Sequence, residues 1–185
     1  KRASIAAQYE IYLTYLETVK SVEDSHYQLI HKFNSIFKQY LLKHQDKKGV
    51  YEYFKDLLEK FMKKCPQNQL CSSITFLIYF STAVKYIPTT VVNDISYIAN
   101  AIDESFKSDE PAIIFHALKL LRNMLYIRSI EFFQLFYDCI TNFLPKVQQL
   151  IFCGEVPLVD KALEIYSDYL NLSETCDIEF IKIIN

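Results

Sequence analysis

Histidine and cysteine are the side chains of this sequence best able to do chemistry, as metal ligands or as a nucleophile with its base. The 185 residues include 5 cysteines, none in a CxxC spacing, and 4 histidines: His26, His31, His44 and His116. His26 and His31 are five positions apart, which places them on different faces of a helix, and no cysteine pair flanks them. The 2 glycines, Gly49 and Gly154, are isolated and cannot form a phosphate-binding loop. We therefore predict no catalysis, no metal site and no cofactor.

A polar stripe crosses the otherwise apolar segment 110–125. Wound as a helix at about 100° per residue, the segment aligns four polar side chains on roughly a third of its circumference. They are His116, Lys119, Arg122 and Asn123. For His116, a histidine satisfied at a helix–helix boundary is favoured over a functional one. For the stripe as a whole, a hydrated surface and a protein-binding surface are both open.

Lysines concentrate in one stretch of the first half of the chain. They are Lys32, Lys38, Lys43, Lys47, Lys48, Lys55, Lys60, Lys63 and Lys64. Acidic residues interrupt this basic face and arginine is absent from it, whereas acids predominate after Gly154. Two solvated helix faces are the favoured interpretation. The alternative is binding of nucleic acid or another acidic partner. The absence of arginine weighs against sequence-specific nucleic-acid binding, because arginine is the side chain that most often contacts base edges.

These side chains must be positioned by helices, because glycine is too scarce for the tight turns of a sheet protein. Segment 110–125 is apolar over most of its surface, which predicts an inner helix packed on more than one side. Ser108 or Asp109 is expected to cap it, with Pro111 in the first turn. The stretch 70–87 predicts a second inner helix, with a β-strand over its β-branched and aromatic run as the rival. Pro145 is expected to kink or end a helix, and Ser173 to cap a last one.

The cysteines lie mostly in apolar helical context and indicate a reducing compartment, the nucleus or cytoplasm. The least charged stretch is too short in its apolar part to span a bilayer, so we expect no membrane partner. We predict a single α-helical domain over residues 1–185. The sequence begins without Met, and we expect it to be part of a longer protein.

Helix pairs begin near Gly49, Thr89 and Ser129, a spacing of about 40 residues, which lies in the range of two-helix repeats. Over these residues the chain resembles an α-solenoid of the HEAT/armadillo superfamily. The resemblance implies an all-α fold of antiparallel helix pairs stacked as a short right-handed superhelix, with about nine helices in this sequence. A compact helical bundle is the structural alternative.

The same resemblance implies a non-catalytic protein-interaction or scaffold module that serves as a subunit of a larger complex. In that superfamily the inner helices line a groove that grips a peptide segment or another subunit. Carried over to this chain, the polar stripe His116, Lys119, Arg122 and Asn123 would face the groove.

Overall fold

The computed structural model describes residues 7, 10, 11, 14, 24–64, 69–127 and 130–184, and the side chains of 7, 10, 11, 14, 27–63, 70–127 and 134–172 within them. These residues form helices and no strand. The long helices are α1 (Asp24–Lys43), α2 (Lys47–Lys64), α3 (Gln69–Tyr86), α4 (Ile95–Phe106), α5 (Pro111–Leu125), α6 (Ile130–Leu150) and α7 (Val156–Ile184). A four-residue helix, Pro88–Val91, and a 3-10 turn, Val92–Asp94, separate α3 from α4.

The chain divides into two compact units, Lys1–Val91 and Val92–Asn185. Each unit has its own group of mutually packed helices. The expectation of one domain over residues 1–185 stays a prediction.

In the first unit, α1, α2 and α3 pack against one another in all three pairings. Their shared core is aromatic: the Phe37 ring lies 5.2 Å from Phe54 and 4.6 Å from Tyr79, measured between centroids. The buried Tyr79 hydroxyl donates a 2.6 Å hydrogen bond to the carbonyl of Tyr51. Helix α3 is buried on most of its surface. The predicted inner helix over 70–87 is confirmed, and the β-strand alternative is wrong.

In the second unit, α5 packs against α4, α6 and α7. Its Leu118 and Leu121 side chains are fully buried, which confirms the prediction of a helix packed on more than one side. Pro111 occupies the first turn as expected, because its fixed φ suits that position and its missing N–H is not needed there. The N-cap prediction is wrong: the capping position is Glu110, without a side-chain cap bond, and the Ser108 hydroxyl instead accepts a bond from the Glu110 N–H.

Three helix boundaries differ from the sequence predictions. Helix α6 continues through Pro145, so the expectation that the helix ends there is wrong, whereas the alternative expectation of a kink stays a prediction. Helix α7 continues through Ser173, which was expected to cap a separate last helix. A proline costs one backbone hydrogen bond, and burial of Phe143 and Val147 on either side of it favours continuation. Near Ser173 neither proline nor glycine interrupts the helix.

The third difference is the start of α4 at Ile95, after the short turns that follow Pro88. Before α1, the described residues Ala7, Glu10, Ile11 and Thr14 are helical. The described residues form seven helices of 12 residues or longer, so the predicted count of about nine is not confirmed.

In the described parts of the chain, no helix combines the length and the apolar character needed to cross a membrane.

Candidate functional site

The polar stripe of α5 borders α7, where Arg122 meets two carboxylates. Arg122 donates from Nε to Asp168 at 2.9 Å and from Nη1 to Glu164 at 2.5 Å. The Tyr126 hydroxyl donates to the same Asp168 at 2.8 Å. The two acids lie one turn apart on α7, so a single guanidinium fork spans both. We call these residues, with Lys161, the Arg122 cluster.

The Arg122 cluster sets two basic side chains, Arg122 and Lys161, against two acidic ones, Glu164 and Asp168. Hydrogen bonding to Asp168 raises the pKa of Arg122 further above its usual value. The pKa of Glu164 is lowered, first by its hydrogen bond from Lys161 and then by the charges of Lys161 and Arg122. Two acids therefore face two bases, and the charge of Arg122 is committed to holding α5 against α7.

Lys119 projects from the same stripe towards solvent. Its ammonium lies 5.4 Å from the centroid of the Phe115 ring, and the ammonium of Lys161 lies 6.0 Å from the same ring. The aromatic face attracts both cations and holds them at the α5–α7 boundary. Lys119 is exposed and belongs to none of the observed ion pairs of the described residues, so its charge is available to a partner.

The other two predicted stripe residues are less accessible. His116 is buried, with 8% of its surface exposed. This burial fits the favoured interpretation of His116 as a histidine at a helix–helix boundary. Asn123 is half-buried. The stripe therefore combines one exposed cation, one paired cation and two residues largely covered by neighbouring helices.

Sequence reasoning missed the α7 contribution to this site. Glu164 and Asp168 belong to the acidic region after Gly154, and their spacing of four, which places both on one helix face, is the signal that could have indicated them. No family model, curated protein or solved structure matches the chain. The resemblance to HEAT/armadillo proteins thus rests on helix pattern alone.

The predicted basic face lies on α1, α2 and their connection in the first unit. Its exposed members are Lys32, Lys38, Lys43, Lys47, Lys48, Lys60 and Lys63, whereas Lys55 is half-buried and the Lys64 side chain lies outside the described part. Lys60 pairs with Asp56 at 2.5 Å. Lys38 lies 5.1 Å from the centroid of the Tyr86 ring. Part of the basic face is therefore already in contact with acidic or aromatic side chains of the same chain.

The cysteines and histidines do not assemble into a metal site among the described residues, where no group of three or more potential ligands occurs. Cys71, Cys139 and Cys153 are free thiols. Burial raises the pKa of Cys139 to about 11, so this thiol is protonated at neutral pH. Cys153 is exposed in the turn before α7.

Proposed function

We propose that the chain is a non-catalytic protein-interaction module, a scaffold subunit of a larger complex in the nucleus or cytoplasm. We further propose that its helices form a short right-handed stack of the HEAT/armadillo kind. The observation that carries the proposal is the pattern of helix contacts in the second unit. The free thiols are compatible with a reducing compartment.

The contacts of the second unit fit two stacked helix pairs. Within each pair, α4 packs on α5 and α6 packs on α7. Between the pairs, α4 packs on α6 and α5 packs on α7. Helix α5 also packs on α6. The contacts between equivalent helices of successive pairs support the proposed α-solenoid, because such a stack requires them. In such a stack α5 and α7 form one layer, and that layer presents the binding surface.

The solvent side of the α5–α7 layer offers a cation on a fixed platform. The Arg122 cluster fixes the two helices to each other, and Phe115 orients Lys119 and Lys161 above the boundary. An acidic side chain or a helix C-terminus of a partner could accept a charge-assisted hydrogen bond from Lys119. We propose a segment of another protein subunit as the partner.

The test is quantitative affinity capture of the folded, tagged chain with Lys119→Glu, beside wild type and Lys85→Glu. Lys85 is a matched control because it is also an exposed helical lysine near an aromatic ring. Recovery of at least one partner should fall about tenfold with Lys119→Glu, since reversal of one charged contact costs about 1.4 kcal/mol or more. Equal recovery of every captured protein by the two variants would remove Lys119 from the proposal.

The basic face carries a second candidate function, binding of nucleic acid or another acidic partner. Its support is the exposure of Lys43, Lys47 and Lys48 together at the α1–α2 connection. Retardation of duplex or single-stranded DNA or RNA at low salt, lost with Lys47→Glu/Lys48→Glu and weakened steeply by salt, would support it. Absence of retardation would dismiss it.

A further inference from the structure

Helix α7 carries a line of exposed and half-buried apolar side chains on a side distinct from its buried face. Val156, Leu163 and Leu170 are 67%, 48% and 48% exposed and recur every seven residues. The half-buried Val159 and Tyr166 lie between them at intervals of three and four. We call these five residues the α7 stripe.

The α7 stripe has the spacing of a helix-packing seam. Alternating intervals of three and four keep apolar side chains along one side of a helix, where a second helix can cover them. The core of the second unit uses a different face of α7, formed by Leu158, Ala162 and Ile165. Single exposed apolar residues are common on protein surfaces, but an exposed stripe in helical register indicates an interaction surface.

The charges beside the α7 stripe are acidic. Glu155 and Asp160 are exposed next to it, and neither forms an ion pair among the described residues. Lys161 is the single lysine or arginine between Val156 and Leu172, and it is half-buried against Glu164. Two copies joined through this stripe would bring like charges together, whereas a basic partner would meet complementary ones.

We propose that the α7 stripe docks an amphipathic helix of another protein whose apolar seam is bordered by lysine or arginine. The seam spacing specifies the helix, and Glu155 and Asp160 specify the sign of its borders. This surface is separate from Lys119, on the side of α7 away from Glu164 and Asp168 in helical register. The proposal therefore stands independently of the groove-facing site.

The test uses two fluorescein-labelled designed helical peptides with the same leucine seam, one with lysine borders and one with glutamate borders. Fluorescence anisotropy with the full chain should give at least about tenfold tighter binding of the lysine-bordered peptide. Leu163→Glu should weaken that binding about tenfold or more, because it places a charge in the seam. The matched control Leu42→Glu, at a leucine 54% exposed on α1, should leave it unchanged.

A charge swap tests the specificity directly. Asp160→Lys should weaken binding of the lysine-bordered peptide and strengthen binding of the glutamate-bordered one, whereas Lys85→Glu, at an exposed lysine of α3, should change neither. The proposal is overturned by equal binding of the two peptides, by no binding of the lysine-bordered peptide up to about 1 mM, or by indifference to Leu163→Glu. It is also overturned if sedimentation shows a dimer that Leu163→Glu dissolves, since a second copy would then occupy the stripe.

Discussion

Arg122 on α5 contacts two side chains of α7, a helix distant in sequence. Its partners Glu164 and Asp168 are 42 and 46 positions away. All three side chains are partly exposed, which limits what the contacts contribute to stability. We expect Arg122→Met to lower the free energy of unfolding by about 1–2 kcal/mol, measured by urea denaturation with circular dichroism.

Lys60→Met provides the control for this measurement. Lys60 also pairs with a carboxylate, Asp56, but both side chains are largely exposed and lie on the same helix. Its removal should leave the unfolding midpoint almost unchanged. Equal effects of the two substitutions would contradict a bridging role for Arg122.

Asp103 makes the stability of the second unit depend on pH. Hydrogen bonds from Lys107 and then Lys146 lower the pKa of Asp103 from 3.8 to about 2. A carboxyl whose pKa is lowered by folding stabilises the fold above its ordinary pKa and loses that effect as pH falls through the folded value. Urea midpoints of wild type should therefore fall more steeply between pH 3.8 and 2 than those of Asp103→Asn. Parallel pH profiles would contradict these contacts.

The described cysteines should differ in reactivity because their burial differs. Cys153 is exposed, Cys71 is buried, and burial raises the pKa of Cys139 to about 11. At about pH 8, iodoacetamide should label Cys153 first and reach the other two only after unfolding. Peptide mapping by mass spectrometry measures this order. Equal labelling of Cys139 and Cys153 in the native chain would contradict the packing of α6.

At the level of the elements, Pro145 lies inside α6 with its ring exposed. It supplies no N–H to the helix and crowds the preceding turn. Pro145→Ala should raise the free energy of unfolding by about 1–3 kcal/mol. The control Gln149→Ala, at another exposed position of α6, should change it by less than about 0.5 kcal/mol. Destabilisation by Pro145→Ala would mean that the packing of α6 requires the proline.

The inner helices were predictable from sequence because apolar residues cover most of the surface of α3 and α5. This pattern is typical of a helix that packs on several sides. The boundaries at Pro145 and Ser173 were not, because rules for helix breakers are local. Phe143 and Val147 are buried by packing against other helices. This packing outweighs the local tendency of proline to end a helix. Similarly, Ser108 was a plausible cap, but α5 begins at Pro111, so Glu110 and not Ser108 occupies the capping position.

The candidate site was predictable only in part. Helical periodicity placed Lys119 and Arg122 on one side of α5, and Lys119 is exposed there as expected. Periodicity cannot say which helix lies beside the stripe, so the pairing of Arg122 with Glu164 and Asp168 on α7 could not be derived. That pairing depends on contacts between residues more than 40 positions apart.

At the level of the whole molecule, each unit buries an apolar helix and leaves charged surfaces to solvent. Helix α3 has this role in the first unit and α5 in the second. The proposed functions use the surfaces around them: Lys119 on α5, the stripe on α7 and the basic face of α1 and α2. Rigid apolar helices that position exposed side chains are the basis of recognition by α-solenoids.

The proposed stack depends on the side-by-side packing of α5 and α7, because stacked pairs require contact between equivalent helices. Methyl NOE spectroscopy of the full chain measures it directly. We predict NOEs from the methyl groups of Leu118 or Leu125 on α5 to those of Leu158 or Ile165 on α7, all of which are buried. NOEs from the α5 methyl groups to α4 and α6 alone would contradict the stack and the interaction module proposed from it.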